Sequence, residues 1–334
     1  MNSRSSERGA ALIVALLAVA MVVMLATALG SNFLLMYRRV ENQLYSEQAY
    51  AYLLGAEGLA RAALLQDLQH DGQKRNDNLS EAWAQPQQFP TDYGAISGQL
   101  EDLQGRYNIA GLGVSSGDGQ SPGGHTPGQN QLIRLLLALP LEKQLGLDQA
   151  QALAEAITDW VDGNDDVSGL GGAESQYYAE TEPIGRAANR APASPSELMW
   201  VKGMTPEVYR ALAPLITVWP KSGSNINLNT APPIVLRSLG SAQETEPLSA
   251  SEAEFLLQER ESHKFFEDTS IVTTGILQNK HIDAASLVLV SDYFLLTTTT
   301  EFQGHRYTMF SVLHRHSDTK PARVDVEVRS YGEL

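Results

Sequence analysis

The densest run of chemically capable side chains is DWVDGNDDVSGLGGAESQYY, residues 159–178. Asp159, Asp162, Asn164, Asp165 and Asp166 fall within eight positions, and Glu174 follows a glycine-rich turn. Carboxylates this crowded repel one another unless water or a cation screens them. Calcium takes about six to eight hard oxygen ligands from flexible loops, and this composition suits it. The spacing is not that of an EF-hand, whose glycine and terminal glutamate fall elsewhere. A solvated acidic turn after a helix is the alternative reading.

Two further segments could carry chemistry. ELMWVKGMTPEVYRALAPLITVWP and INLNTAPPIVLRSLG each look like half of a helix-hairpin-helix module, which holds DNA phosphates on backbone N–H groups at a glycine hairpin. The hairpin Gly203-Met204-Thr205 lacks a second glycine, and Lys202 is the only cation beside it. A structural helical module is the competing reading. His314 and His316 alternate on a predicted strand and share a face, as a two-histidine metal site or as a solvated pair. No nucleophile elbow, phosphate loop or His-Glu-x-x-His occurs, and no carboxylate pair stands out for acid–base work, so an enzyme is not expected.

The elements that must position these groups begin with an uncharged stretch, Ala10 to Met36. As a helix it would be about 40 Å long, enough to cross a bilayer. Arg4, Glu7 and Arg8 precede it, and this weakly positive flank keeps the N-terminus cytoplasmic and sends the remainder outward. Three readings fit: a plain anchor, a secretory signal peptide with the small-x-small triplet Ala26-Thr27-Ala28, or a prepilin-type leader ending at Arg8-Gly9-Ala10. Residues 40–71 run on without proline and with apolar positions at helical spacing, the shape of a pilin-like spine.

Beyond residue 71 the chain turns polar around Pro86 and Pro90. Tyr93 to Ile109 reads as strand and turn, and Gly111 to Asn130 as a Gly/Ser/Pro-rich loop. Helices are predicted on both sides of Pro140 and again from Ser196, Thr205, Ala231 and Ser249, several with a capping hydroxyl followed by acid or proline. The end reads as three strands, with turns at Gln303-Gly304 and between Asp318 and Pro321. The expected fold class is α+β, with a helical block inserted between strands.

Composition narrows the partners. The 334 residues carry 24 Lys+Arg against 39 Asp+Glu, a net charge of −15, which disfavours nucleic acid. The chain has no cysteine, excluding disulfides, thiol catalysis and zinc–thiolate sites.

Taken in order, RGAALIVALLAVA, SEQAYAYLLGAEGLAR, GQLEDLQGRYNI, AITDWVDGNDD with GGAESQYY, SPSELMWVKGM, INLNTAPPIVLRSLG and SDYFLL closely resemble the general secretion pathway protein K family, minor pseudopilins of bacterial type II secretion systems. The resemblance covers nearly the whole chain. It implies a leader at residues 1–9, a transmembrane helix at 10–36 and its continuation at 37–71. It also implies a pseudopilin core at 72–130 and 286–334, with a helical domain at 131–285 inserted in it. Prepilin peptidase would cleave after Gly9 and methylate Ala10. The protein would sit in the inner membrane with its C-terminal domain periplasmic, at the pseudopilus tip. Its partners would be the I and J minor pseudopilins, the H type beneath, the major pseudopilin indirectly, and the inner-membrane platform. The resemblance also implies structural calcium in the inserted domain, on the acidic cluster and on Asn189 in GRAANRAP.

Most pilins carry Glu at the fifth mature position, where it can neutralise a neighbour's N-terminal amine. Here that position is Val14. A buried carboxylate is costly in lipid unless paired, and a subunit with none above it has no amine to pair with. The cysteines that some relatives carry near the metal are absent. Two other readings remain from the residues alone: a soluble periplasmic calcium-dependent binding module, and a membrane-anchored DNA-binding protein.

Overall fold

The structure, a computed structural model, describes residues 4–70, 75–91, 94–114, 124–182, 185–302 and 304–332. Tyr93, Gln303, Asp71 and the part of the predicted loop at 115–123 lie outside the described residues, as do residues 1–3 of the expected leader.

A single helix, α1, runs from Arg4 to His70. From residue 9 to about residue 40 it is exposed on all sides, and only beyond that does one face become covered. That face is a helical stripe of Ala49, Leu53, Ala56, Glu57 and Leu64. It lies on a five-stranded sheet made by β1 (Gln87–Thr91), β2 (Gly94–Asp102) and, much later in the chain, β7 (Tyr293–Phe302), β8 (His305–His316) and β9 (Arg323–Tyr331). The strand order is β1-β2-β7-β8-β9, antiparallel throughout. Strand alternation sends Leu100, Phe294, Leu296, Leu313 and Val324 inward to Leu64 and Trp83, forming the core beneath the helix. Each fully buried Leu or Phe there contributes about 1.5–3 kcal/mol. β1 contains Pro90, which an edge strand tolerates because its N–H would point to solvent.

Between β2 and β7 stands the helical unit. In chain order it comprises β3 (Tyr107–Asn108), α2 (Pro127–Ala138), α3 (Leu147–Val161), α4 (Ser175–Ala179), α5 (Pro206–Leu212), β4 (Ile216–Thr217), β5 (Ile226–Asn227), α6 (Pro233–Leu236), α7 (Ala250–Ser262) and β6 (Leu287–Val288). The two-residue strands pair in parallel, β3 with β4 and β5 with β6. Helix starts follow the capping chemistry of the sequence. Thr126 with Gln129 and Ser249 with Glu252 form reciprocal capping boxes, and Thr205 accepts from the Val208 amide. The unit's apolar core begins at Tyr107, Ile109 and Leu112, well before residue 131, because these residues pack against α2 and α3.

A buried polar knot joins the unit to the sheet. Asp102, at the end of β2, accepts from Asn227 Nδ2 (3.0 Å), Thr230 Oγ1 (2.5 Å) and Ser291 Oγ (2.6 Å), and from the Gln104 amide. Beside it Arg315, 1% exposed, pairs with Asp77 and with Asp67 of α1 at 2.8 Å, and rests on the Phe294 ring.

Candidate functional site

The anchor half of α1 presents its apolar residues outward. Val14 is 65% exposed, and Ala10 and Gly9 are exposed on the same helix. Among the described residues this is the one helix long and apolar enough to cross a membrane. The helix continues without a break into the spine that docks on the sheet, a continuity unusual for a cleaved signal sequence.

The acidic loop follows α3. Glu155, Asp159 and Asp162 occur at i, i+4 and i+7, which puts all three on one face and at the C-terminal end of that helix. Asp159 is fully buried and accepts from the Ser168 amide at 3.0 and 3.2 Å through its two oxygens. Asp162 caps the helix end and accepts from the Asn164 amide, and Asn164 Oδ1 in turn accepts from Asp166 N at 2.7 Å. Asn164, Asp165 and Asp166 are exposed. Burial raises both Asp159 and Asp162 above the ordinary aspartate value, against the lowering effect of the Ser168 and Asn164 hydrogen bonds.

Glu174 decides the chemistry. It is only 4% exposed, and neither carboxylate oxygen has a hydrogen-bond partner. Burial, then the charges of Asp159, Asp162 and Asp165, raise it to about 7. Asn189, on the far loop with φ of +45°, donates to the Asn164 carbonyl (2.7 Å) and to Asp165 Oδ1 (3.0 Å), while its own Oδ1 is buried and unpartnered. Three buried oxygens without donors, beside a string of carboxylates, form a donor set for a hard cation; an uncompensated buried charge otherwise costs several kcal/mol. Among the described residues, the acidic-loop side chains do not converge to within 4.8 Å as a group of three; such groups of ligand atoms occur elsewhere, at Asp67–Asp77–Glu81 and at His314–His316–Glu327.

Sequence reasoning missed Glu155 and His125. Glu155 is held by His125 Nε2 at 2.8 Å and by the Gly171 amide at 2.6 Å, so it fixes the glycine turn over the site. The i, i+4, i+7 spacing with Asp159 and Asp162 was the available signal. The glycines are required sterically: a Cβ at Gly172 would collide with Asp159 Oδ2, and one at Gly169, at φ +55°, with the Glu155 carboxylate.

Comparison with known proteins supplies the family. The sequence family described as "Type II secretion system (T2SS), protein K" matches residues 105–221. Over 98% of its length the chain is 31% identical to type II secretion system protein K of Pectobacterium carotovorum subsp. carotovorum, 98% of which is covered. The chain belongs to the type II secretion system protein K family. It is 30% identical to protein K of Pseudomonas aeruginosa over 99% of this chain and 94% of that one. Among solved structures, it matches the GspK-GspI-GspJ complex from the enterotoxigenic Escherichia coli type 2 secretion system with a TM-score of 0.72 and 26% identity, over 89% of this chain and 100% of that chain. The relatives are named as secretion-system proteins.

Within this protein K fold the two hairpin-like segments pack into the core of the helical unit. Lys202 is committed: its Nζ donates to the Gly172 carbonyl at 3.0 Å and its amide to Tyr178 Oη, so it braces the acidic loop. Asn227 and Asn229 are buried at 0% and 1% exposure. Asn229 donates to Phe266 O and accepts from Phe266 N, while Asn227 Nδ2 reaches Asp77 O, Asp102 and Ser291.

Proposed function

We propose that this chain is a minor pseudopilin at the tip of the type II secretion pseudopilus, where it nucleates and caps assembly for export of folded exoproteins across the outer membrane. The observation that carries the reading is architectural. An exposed apolar helix runs unbroken into a spine docked on a small antiparallel sheet, and a large helical unit stands between two neighbouring strands. The apolar half packs among partner helices in the inner membrane, and the remainder lies in the periplasm. The I and J minor pseudopilins are its direct neighbours, with the H type beneath and the major pseudopilin further down. Val14 removes the carboxylate that would seek an amine above it, so the subunit needs none there. Prepilin peptidase cleaves after Gly9 and methylates Ala10, and the inner-membrane platform of the secretion system is a further partner.

Calcium is the structural ion of this reading. Asp159, Asp162, Asp165, Asp166, Glu174 and the amide oxygens of Asn164 and Asn189 are its candidate ligands, and the donor-less buried Glu174 supports it most directly. Its role is to tie the end of α3 to the 185–190 loop and hold the head in one shape.

The test is co-purification of the full chain with the I and J pseudopilins from membranes, together with exoprotein secretion in a deletion strain. A stable ternary complex and loss of secretion are expected. Normal secretion without the chain would remove the role.

A further inference from the structure

We propose a second metal site, for a divalent transition ion of the zinc class, on the sheet at His314, His316 and Glu327, remote in sequence from the acidic loop. One donor atom from each of these three side chains lies within 4.8 Å of those of the other two. His314 and His316 project from one face of β8 with ring centroids 3.8 Å apart. The adjoining strand supplies oxygen. His314 pairs across the sheet with Asp325, and His316 with Arg323. A β-bulge then inserts Glu327 as an extra residue, since Val312 faces Val328 while Leu313 faces Val326. Bulges re-aim a side chain, and here the added residue brings a carboxylate to the imidazoles. Glu327 Oε1 is 3.0 Å from His314 Nδ1, and Asp325 Oδ2 is 3.1 Å from His316 Nε2. Two donors bound tetrahedrally at about 2 Å from one ion sit about 3.3 Å apart, so the Glu327–His314 separation is near that of shared ligands.

The donor chemistry selects the ion. Imidazole with carboxylate, and no thiolate, suits zinc, nickel, cobalt or copper rather than calcium or magnesium. The charges also fit. Arg323 lies 2.9 Å from Asp325 Oδ2, so that carboxylate already has a cation, whereas Glu327 has no Lys or Arg within 4.0 Å among the described residues. Glu327 is therefore the anionic ligand, and Asp325 orients the His316 ring as carboxylates do behind metal-bound histidines. His314 is held flat by Tyr293, whose ring stacks on it at 4.1 Å and 15°. Tyr293 in turn stacks on Trp219 of the helical unit. Both imidazoles are about four-fifths buried, shielded enough to bind and open enough to fill. The ion would join β8 to the edge strand β9 at its bulge.

The experiment is a titration of the full-length, untagged chain in detergent with Co2+ under saturating calcium, followed by its visible ligand-field bands and by displacement with Zn2+. One equivalent per chain is expected, with the bands lost in H314Q/H316Q and kept in E174Q, which removes a ligand of the other site. Absent bands, or bands unchanged in H314Q/H316Q, would overturn the site. Far-UV circular dichroism and the calcium-induced thermal shift report whether the double variant is folded. Should it not fold, E327Q alone decides. Cobalt affinity weakened at least about tenfold supports the site, and unchanged affinity refutes it.

Discussion

Arg329 on the edge strand and Glu57 on the spine helix form a two-pronged ion pair, Nε to Oε2 at 2.9 Å and Nη2 to Oε1 at 2.7 Å. Glu57 is 3% exposed and also accepts from Ser311 Oγ at 2.6 Å. The pair fixes the rotation of the helix on the sheet, since only one helix face carries this carboxylate. Arg329→Ala strands a buried charge and is expected to cost about 3 kcal/mol. Adding Glu57→Gln removes that charge and should recover most of the loss, measured by thermal unfolding of single and double variants.

The same pair sets an acid limb. Burial alone would raise Glu57, but hydrogen bonds from Arg329 and Ser311, with the charges of Arg329 and Arg61, outweigh it and hold the group below 4.5. A carboxylate lowered by folding contributes stability that is complete above its unfolded value and is lost as pH falls through the folded one. Unfolding followed below pH 4.5 should therefore be less steep in Glu57→Gln than in the native chain.

Calcium is expected to raise the melting temperature of the chain. A ligand at 100–1,000 times its Kd stabilises by about 3–4 kcal/mol, or about 6–16 °C for a unit of this size. Glu174→Gln separates the ion from the fold. It should remove most of the calcium response while raising chelated stability by about 1–3 kcal/mol, because the uncompensated buried charge is gone. Calorimetry with and without chelator reads both effects.

Asn227→Ala removes the amide that reaches Asp77, Asp102 and Ser291, leaving acceptors short of a donor. The expected cost is about 2–3 kcal/mol, concentrated where the helical unit meets the sheet. Faster amide exchange at Ser291, with exchange in α2 and α3 unchanged, would mark this local loosening.

Processing predicts an intact mass that begins at Ala10 with one added methyl group. Gly9→Val should leave the leader attached and abolish secretion. Val14→Glu places a carboxylate in the apolar half of α1, at a cost of about 2.5–3.5 kcal/mol, and should lower the membrane-inserted fraction.

The long helix, the last three sheet strands and the capped helix starts were legible because period and capping are local properties. The acidic loop and the shared face of His314 and His316 were legible for the same reason. β1 was not, because Pro90 argues against a strand until the strand is known to lie at an edge. Nor was the neck. Asp77, Asp102, Asn227, Ser291 and Arg315 are scattered along the chain, and nothing local distinguishes them from surface polar residues. Glu327 likewise gains its place beside two histidines only through a bulge that depends on strand register.

The sheet pairs Asp102 with Phe294, although about 190 residues separate β2 from β7. Closing so long a loop in an unfolded chain has a high entropic cost and delays the sheet's central pairing. A helical unit that had already formed would bring those ends together and shorten the loop left to close. Closure of the five-stranded sheet is thereby coupled, through the β2–β7 pairing, to the state of the helical unit that lies between those strands.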